Sequence, residues 1–297
     1  MTENAIAIPL AELSPAQMQA VGFLARYTGN THDLYRRYLG QWFAWCDRLR
    51  LDPMAVERTH VELYIRELGQ TLKASSVCTS MNPIRGFYKF ACMDGVIDRD
   101  PAAYARLPKV HYEPKPLFDR DDLRRLTAAA RDLSPRHHAL VLLLSTMGLR
   151  VSEACSIDVP NIYNEERGWR ILRFVGKGSK PAAMPIPFHA LAVFEKVADG
   201  RQLGPLLTTL DGRRLTRSAA AGLVTTCAKR AGFTRRVNPH LLRAAAITDL
   251  LDSGMDLREA QDFARHDNPM TTRKHYDLHR DRWATHATHI AAARLAV

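Results

Sequence analysis

The chain has 297 residues, 46% of them hydrophobic and 25% charged, with a formal net charge of +11. That balance excludes collagen-like, low-complexity and disordered classes, and the length suits two domains of ordinary size. The best apolar run, Ala139 to Leu144, is far too short for a membrane span, and the N-terminus lacks the basic start and apolar core of a secretion signal.

Residues 1–105 read as helical. Thr31 is placed to cap a helix whose stripe of Tyr35, Tyr38, Leu39, Trp42, Phe43, Cys46 and Leu49 repeats at i, i+3, i+4. Val56, Val61, Leu63, Ile65 and Leu68 mark another helix. A third spans roughly Ser75 to Met93, with a kink predicted at Pro83, where proline removes a backbone hydrogen bond. Three or four packed helices fill this length. Trp42, Phe43, Trp45, Phe87, Tyr88 and Phe90 are assigned to their core rather than to base stacking. The stretch 106–118, RLPKVHYEPKPLF, holds three prolines and reads as an inter-domain linker.

Residues 119–297 are mixed. Asp119 or Asp121 caps a helix through Leu123 and Leu126, and a very apolar helix runs from Pro135 to Met147 and stops at Gly148. Trp169 to Val175 and Ala182 to Pro187 read as strands around a Gly176-Lys177-Gly178-Ser179 turn. Helices return over Ser218 to Ala231, Pro239 to Ser253, Asp256 to Ala264 and from Pro269 onward. The fold class expected is therefore mainly α with a small β-sheet. Residues 1–105 are electrically neutral, 106–118 carry +2 and 119–297 carry +9. The basic surface thus belongs to the C-terminal part and favours a polyanionic partner. Of the 42 cations 33 are Arg, whose fork matches phosphate oxygens, although a GC-rich coding sequence raises the arginine share equally. Five cysteines without a CxxC pair argue against a disulfide framework and a zinc knuckle, and for a reducing, cytoplasmic setting. His286 and His289 are three apart but lack further ligands at metal-site spacing, so no metal is expected.

Four segments carry candidate chemistry. Asn238 and Pro239 suit the start of a helix, and His240 and Arg243 share its first turn, where free N–H groups favour an anion. They form either a phosphate site or a solvated surface pair. Arg150, after an apolar helix and a glycine turn, with Glu153 three residues on, is a held phosphate ligand or half of a structural ion pair. Lys177, flanked by glycines, is a reaching side chain or an ordinary turn lysine. Tyr276 is the only tyrosine after Tyr163 and sits among His266, Arg273, Lys274, His275 and His279. A phenol among cations is a candidate nucleophile, or else a surface tyrosine.

The ordered set Arg150, Lys177, His240-x-x-Arg243, His266 and Tyr276, with GLRVSE, GKGSK and HLLR as its wording, resembles the tyrosine recombinase (phage integrase) family. The resemblance covers residues 119 to about 280, and the helical part before the linker resembles the family's core-binding domain. It implies three segments: a helical core-binding, DNA-clamping domain at 1–105, a linker at 106–118, and a mixed α/β catalytic domain at 119–297. It implies a metal-free, cofactor-free phosphoryl transfer in which Tyr276 attacks a DNA phosphate and holds its 3′ side covalently. Arg150 and Arg243 would then clamp the non-bridging oxygens, Lys177 protonate the leaving 5′ oxygen, His240 assist proton transfer at the tyrosine, and His266 hydrogen-bond the phosphate. Glu153 would support the arginine site from behind. Thr31, Arg36, Lys73, Ser75 and Arg85 are candidates for DNA contact in the first domain.

Three departures from the family wording stand out, the slightest being Ala244 where the family often has His after the second arginine. Ala264-Arg265-His266 stands where the family usually has Leu-Gly-His. Tyr276 lies ten residues after His266 where nine is common, and one extra helical residue means about 100° of rotation and about 1.5 Å of rise. Either the Asp267 to Pro269 loop absorbs it, or the site is altered, inactive or served by His275. The expected partners are double-stranded DNA and further copies of the chain, a tetramer on two DNA sites that is a monomer when free. Integration or excision of a phage or mobile element is the role the motif wording favours. A Xer-like resolvase of chromosome or plasmid dimers, a topoisomerase-like relaxase and a non-catalytic DNA-binding regulator are the alternatives.

Overall fold

Helix-capping side chains and one alternating strand set most of the element boundaries. The computed structural model describes residues 13–111 and 118–265, with residues 288 and 292. The chain divides into two units, Met1–Glu113 and Pro114–Val297.

The first unit is built from α1 (Pro15–Leu24), α2 (Gly29–Arg48), α3 (Arg58–Thr71) and α4 (Ala74–Met93). Ser14 and Gln17 close a capping box on α1. Thr31 does not cap α2 as expected: the helix begins at Gly29 with Thr28 at the cap, so Thr31 is an exposed first-turn residue. A positive φ of 57° at Gly29 lets the chain turn into the helix three residues early. Pro83 lies inside α4, which is assigned as one helix on both sides of it. Of the predicted stripe Leu39, Trp42 and Cys46 are buried, joined in the core by Met81, Phe87 and Tyr88, while Leu49 at its end is exposed; each large buried side chain contributes about 1.5–3 kcal/mol. Trp42 Nε1 donates to the Tyr88 hydroxyl, and that hydroxyl donates to Pro53 O, each at 2.8 Å, so neither buried polar tip is left unsatisfied. Leu107 packs against this core, and Cys78 Sγ donates to Pro108 O.

The second unit begins with α5 (Arg120–Leu133), capped by Asp119 through a 2.8 Å bond from Asp122 N. Ser134 then caps α6 (Pro135–Val141). The apolar helix expected to reach Met147 changes character: Leu142–Thr146 is a π turn, with Met147 N bonded to Leu142 O at 3.0 Å. After α7 (Val151–Ser156) come β1 (Asn164–Glu166), β2 (Trp169–Val175) and β3 (Pro181–Pro185), an antiparallel sheet in the order β1-β2-β3. Leu172 pairs with Met184 and Phe174 with Ala182. Leu172 and Phe174 point into the core while Arg173 and Val175 are exposed, the period-two alternation of a half-buried strand. Helices α8 (Phe188–Ala198), α9 (Arg217–Arg230), α10 (Pro239–Asp252) and α11 (Leu257–Ala264) complete the described part. Its core gathers Leu126, Leu140, Leu143, Leu144, Phe194 and Val224. None of the described helices is long and apolar enough to cross a membrane.

Candidate active site

The site begins at the end of the apolar helix. Gly148 stops it at φ 59°, and the Phe263 ring lies so close that a Cβ on Gly148 would fall 2.5 Å from Cε1. Only glycine fits both the left-handed turn and that approach. The chain then extends through Arg150 into α7, and Glu153, one turn on, reaches back. Its Oε2 accepts from the Arg150 backbone N–H at 2.8 Å and its Oε1 from Arg150 Nη1 at 2.8 Å. Glu153 is only 2% exposed. Burial alone would raise its carboxyl. The hydrogen bonds from Arg150 and the charges of Arg265 and Arg150 outweigh burial and hold it below the ordinary carboxylate value.

Asn238 caps α10 by accepting from Leu241 N at 3.0 Å, with Pro239 at the first helical position. His240 is exposed at the second. Arg243, one turn further, is 3% exposed, and its guanidinium donates to Gly148 O and Ala264 O. Burial, then the charges of Arg150 and Arg265, push this guanidinium down to about 9, still well above neutral pH, so it keeps its charge. Arg265 was missed as a site residue. It ends α11, and its Nη2 donates to Glu153 Oε2 at 2.8 Å. Its guanidinium lies over the Phe174 ring, 5.0 Å from the centroid.

Three guanidiniums therefore surround one carboxylate, an excess of two positive charges. The carbonyls at the end of α11 hold them: Phe263 O accepts from Arg265, Ala264 O from Arg243, and Arg265 O from Arg150 at 3.4 Å. A helix C-terminus is the end that favours cations, and these bonds satisfy its orphan carbonyls. A cleft of about 390 Å³ opens beside the group, lined by Arg150, Glu153, Gly176, Lys180, Gln261 and Arg265. The base of the hairpin turn thus joins the arginines, and Gly176 N closes the turn on Lys180 O at 2.7 Å. Such an arrangement is suited to a doubly charged oxyanion. A larger cleft of about 460 Å³ lies beside α5 and α10, but Arg120 there pairs with Asp249 and Arg124 with Asp121, so its cations already have carboxylate partners.

The structure brings together Arg150, Glu153 and Arg243 and leaves His240 exposed on the same turn as Arg243. The Lys177 side chain, His266, Tyr276 and the His286–His289 pair lie outside the described residues, as does the predicted helix from Pro269 onward. In the first unit Thr31, Arg36, Lys73 and Ser75 are exposed. Arg85 differs: it is half-buried and its Nη2 donates to Ala105 O, which ties it to its own chain.

The phage integrase family matches residues 116–282, more than half of the chain. The chain belongs to that family. Tyrosine recombinase relatives agree: a XerD from Pseudomonas aeruginosa is 32% identical over 90% of this chain and 88% of its own. A XerC from Anoxybacillus flavithermus is 28% identical over 86% and 89%. Among solved structures, the XerH site-specific recombinase bound to difH substrate superimposes with a TM-score of 0.70 at 18% identity, covering 95% of this chain and 84% of that one. The Tn1549 transposon integrase in complex with transposon right end DNA gives 0.74 at 17%, covering 96% and 100%. At those identities the solved structures speak for the fold, which is that of a tyrosine recombinase.

Proposed function

We propose that this phage integrase family member is a site-specific DNA recombinase that cuts and rejoins duplex DNA through a 3′-phosphotyrosine on Tyr276. The observation that carries the reading is the buried arginine group. Arg150 and Arg243 are held by the carbonyls at the end of α11, directly before His266 in the chain, with a charge excess that only an oxyanion would balance. In this reading the Tyr276 oxygen forms a bond to the scissile phosphorus and the bond to the 5′ oxygen breaks. Lys177 supplies the proton that the 5′ oxygen takes up, His240 assists removal of the phenol proton, and His266 hydrogen-bonds the phosphate. Because the phosphotyrosine conserves the phosphodiester's bond energy, a 5′ hydroxyl from a partner strand can reverse the step without a cofactor. Residues 1–105 would clamp the DNA as a core-binding domain, through Thr31, Arg36, Lys73 and Ser75, joined by the 106–118 linker to the catalytic domain at 119–297. A tetramer would assemble on two sites. Of the two cellular roles weighed above, the relatives' names favour a Xer-like one, chromosome or plasmid dimer resolution, over integration of a mobile element.

The test is a nicked duplex carrying a site selected from a randomised pool by binding to the protein. Wild type should form a protein–DNA adduct that survives SDS, and Tyr276→Phe should bind the same duplex and form none. An adduct that persists in Tyr276→Phe would move the nucleophile elsewhere, His275 first. A wild type that binds and never forms one would make the chain a DNA-binding regulator.

A further inference from the structure

Arg265 pays for its place in the arginine group with backbone strain. It sits at φ 50°, ψ 50°, in the left-handed region, which costs a residue with a side chain about 1–2 kcal/mol. Glycine there would be relaxed. What offsets the strain is the guanidinium: bonded to Glu153 Oε2 at 2.8 Å and Phe263 O at 3.3 Å, and seated on Phe174. The side chain is 18% exposed, and its Nε is buried with no hydrogen-bond partner among the described residues. With one nitrogen on Glu153, another on a backbone carbonyl and the third enclosed, little of this fork is left to meet a ligand.

Arg150 is gripped from both ends of the same residue. Its Nη1 bonds Glu153 Oε1 at 2.8 Å, and Glu153's other oxygen is held by Arg265. Its Nη2 approaches the Arg265 carbonyl at 3.4 Å. The side chain and the carbonyl of Arg265 therefore brace Arg150 together, and the next residue in the chain is His266. We propose that Arg265 is a positioning residue for strand cleavage: by sharing Glu153 with Arg150 it fixes the left-handed turn leading into the His266–Tyr276 segment and orients Arg150 toward the scissile phosphate. This inference rests on the recombinase reading above.

The experiment compares Arg265→Gly and Arg265→Asn, both tolerant of a positive φ, with Arg265→Lys, on the nicked duplex that wild type converts to an adduct. Thermal melts establish that each variant is folded. Glycine and asparagine should slow single-turnover adduct formation at saturating enzyme by about 100-fold, the size expected for a misplaced reacting group. Duplex affinity and its salt dependence should stay unchanged, and lysine, which can still reach Glu153, should recover part of the rate. A glycine variant as fast as wild type overturns the proposal. So does a variant whose affinity falls while its salt slope flattens by about one, because Arg265 would then be a phosphate ligand. A wild type that forms no adduct removes the recombinase reading first, and this inference with it.

Discussion

Glu153 answers to two guanidiniums from a buried position, and that makes it a stability element with a defined pH window. Its carboxyl is held below the ordinary value of 4.5 in the folded chain, where burial opposes the shift and the Arg150 hydrogen bonds with the Arg265 and Arg150 charges drive it. A depressed folded value means the unfolded chain binds the proton first as pH falls. The contribution is therefore complete above about pH 4.5 and is lost as pH falls through the lowered native value. Glu153→Gln should cost about 3 kcal/mol at neutral pH, because two half-buried cations, Arg150 and Arg265, lose their buried counter-charge. The gap from wild type, read from urea midpoints as pH is lowered, should close below pH 4.5; a gap that stays constant there would remove the ionised carboxylate from the account. The grouping of Arg150, Glu153 and Arg243 was legible through the resemblance of GLRVSE and HLLR to the family's wording, since spacing alone left each open between a phosphate ligand and an ordinary structural or surface residue. Arg265 was not, since no sequence rule says that a residue ending a helix in the left-handed region turns its side chain back onto a carboxylate 112 positions earlier.

At the scale of elements, the turn at Gly148 connects packing to the site, because its carbonyl is an acceptor for Arg243. Gly148→Ala would strain the φ of 59° and drive a Cβ to 2.5 Å from Phe263. The expected cost is about 2–5 kcal/mol, the sum of a left-handed penalty and an overpacking penalty. Gly212→Ala is the control, with φ 76° and nothing within 4 Å of the added carbon, so it should lose only the first, about 1–2 kcal/mol. Equal losses in the two variants, measured by denaturant unfolding, would show that Phe263 moves aside freely. The same physics separates the elements that were readable from those that were not. Asp119, Ser134, Thr216, Asn238 and Asp256 accept bonds at helix starts, and β2 alternates cleanly. By contrast β1 is three polar residues, Asn-Glu-Glu, whose pairing with β2 is dictated by the neighbouring strand and not by any pattern of its own. Helix α8 follows a strand after Pro187 with no side-chain cap and went unpredicted. The π turn over Leu142–Thr146 has the composition of a plain apolar helix, so no pattern in the sequence marks it.

Across the whole molecule, charge and site fall on the same side of the chain. Residues 119–297 carry a net +9 and residues 1–105 a net zero, and two of those nine charges are the excess of the arginine group. A protein built this way should gain duplex affinity mainly by displacing counterions. A plot of log Kd against log salt between about 50 and 200 mM should rise with a slope near 5, as for about six neutralised phosphates. Arg36→Gln and Lys73→Gln test the neutral part separately. Both side chains are exposed, and each that touches a phosphate should lower the slope by about one whatever the base sequence. Arg85→Gln should leave the slope alone, since that guanidinium is already committed to Ala105 O, and should appear as a loss of stability instead. A flat salt response for the full chain would mean that the +9 is spread over faces the duplex never meets. Arg150 and Arg243 alone would then have to supply the affinity, and two phosphate-facing guanidiniums predict a slope no greater than about 2.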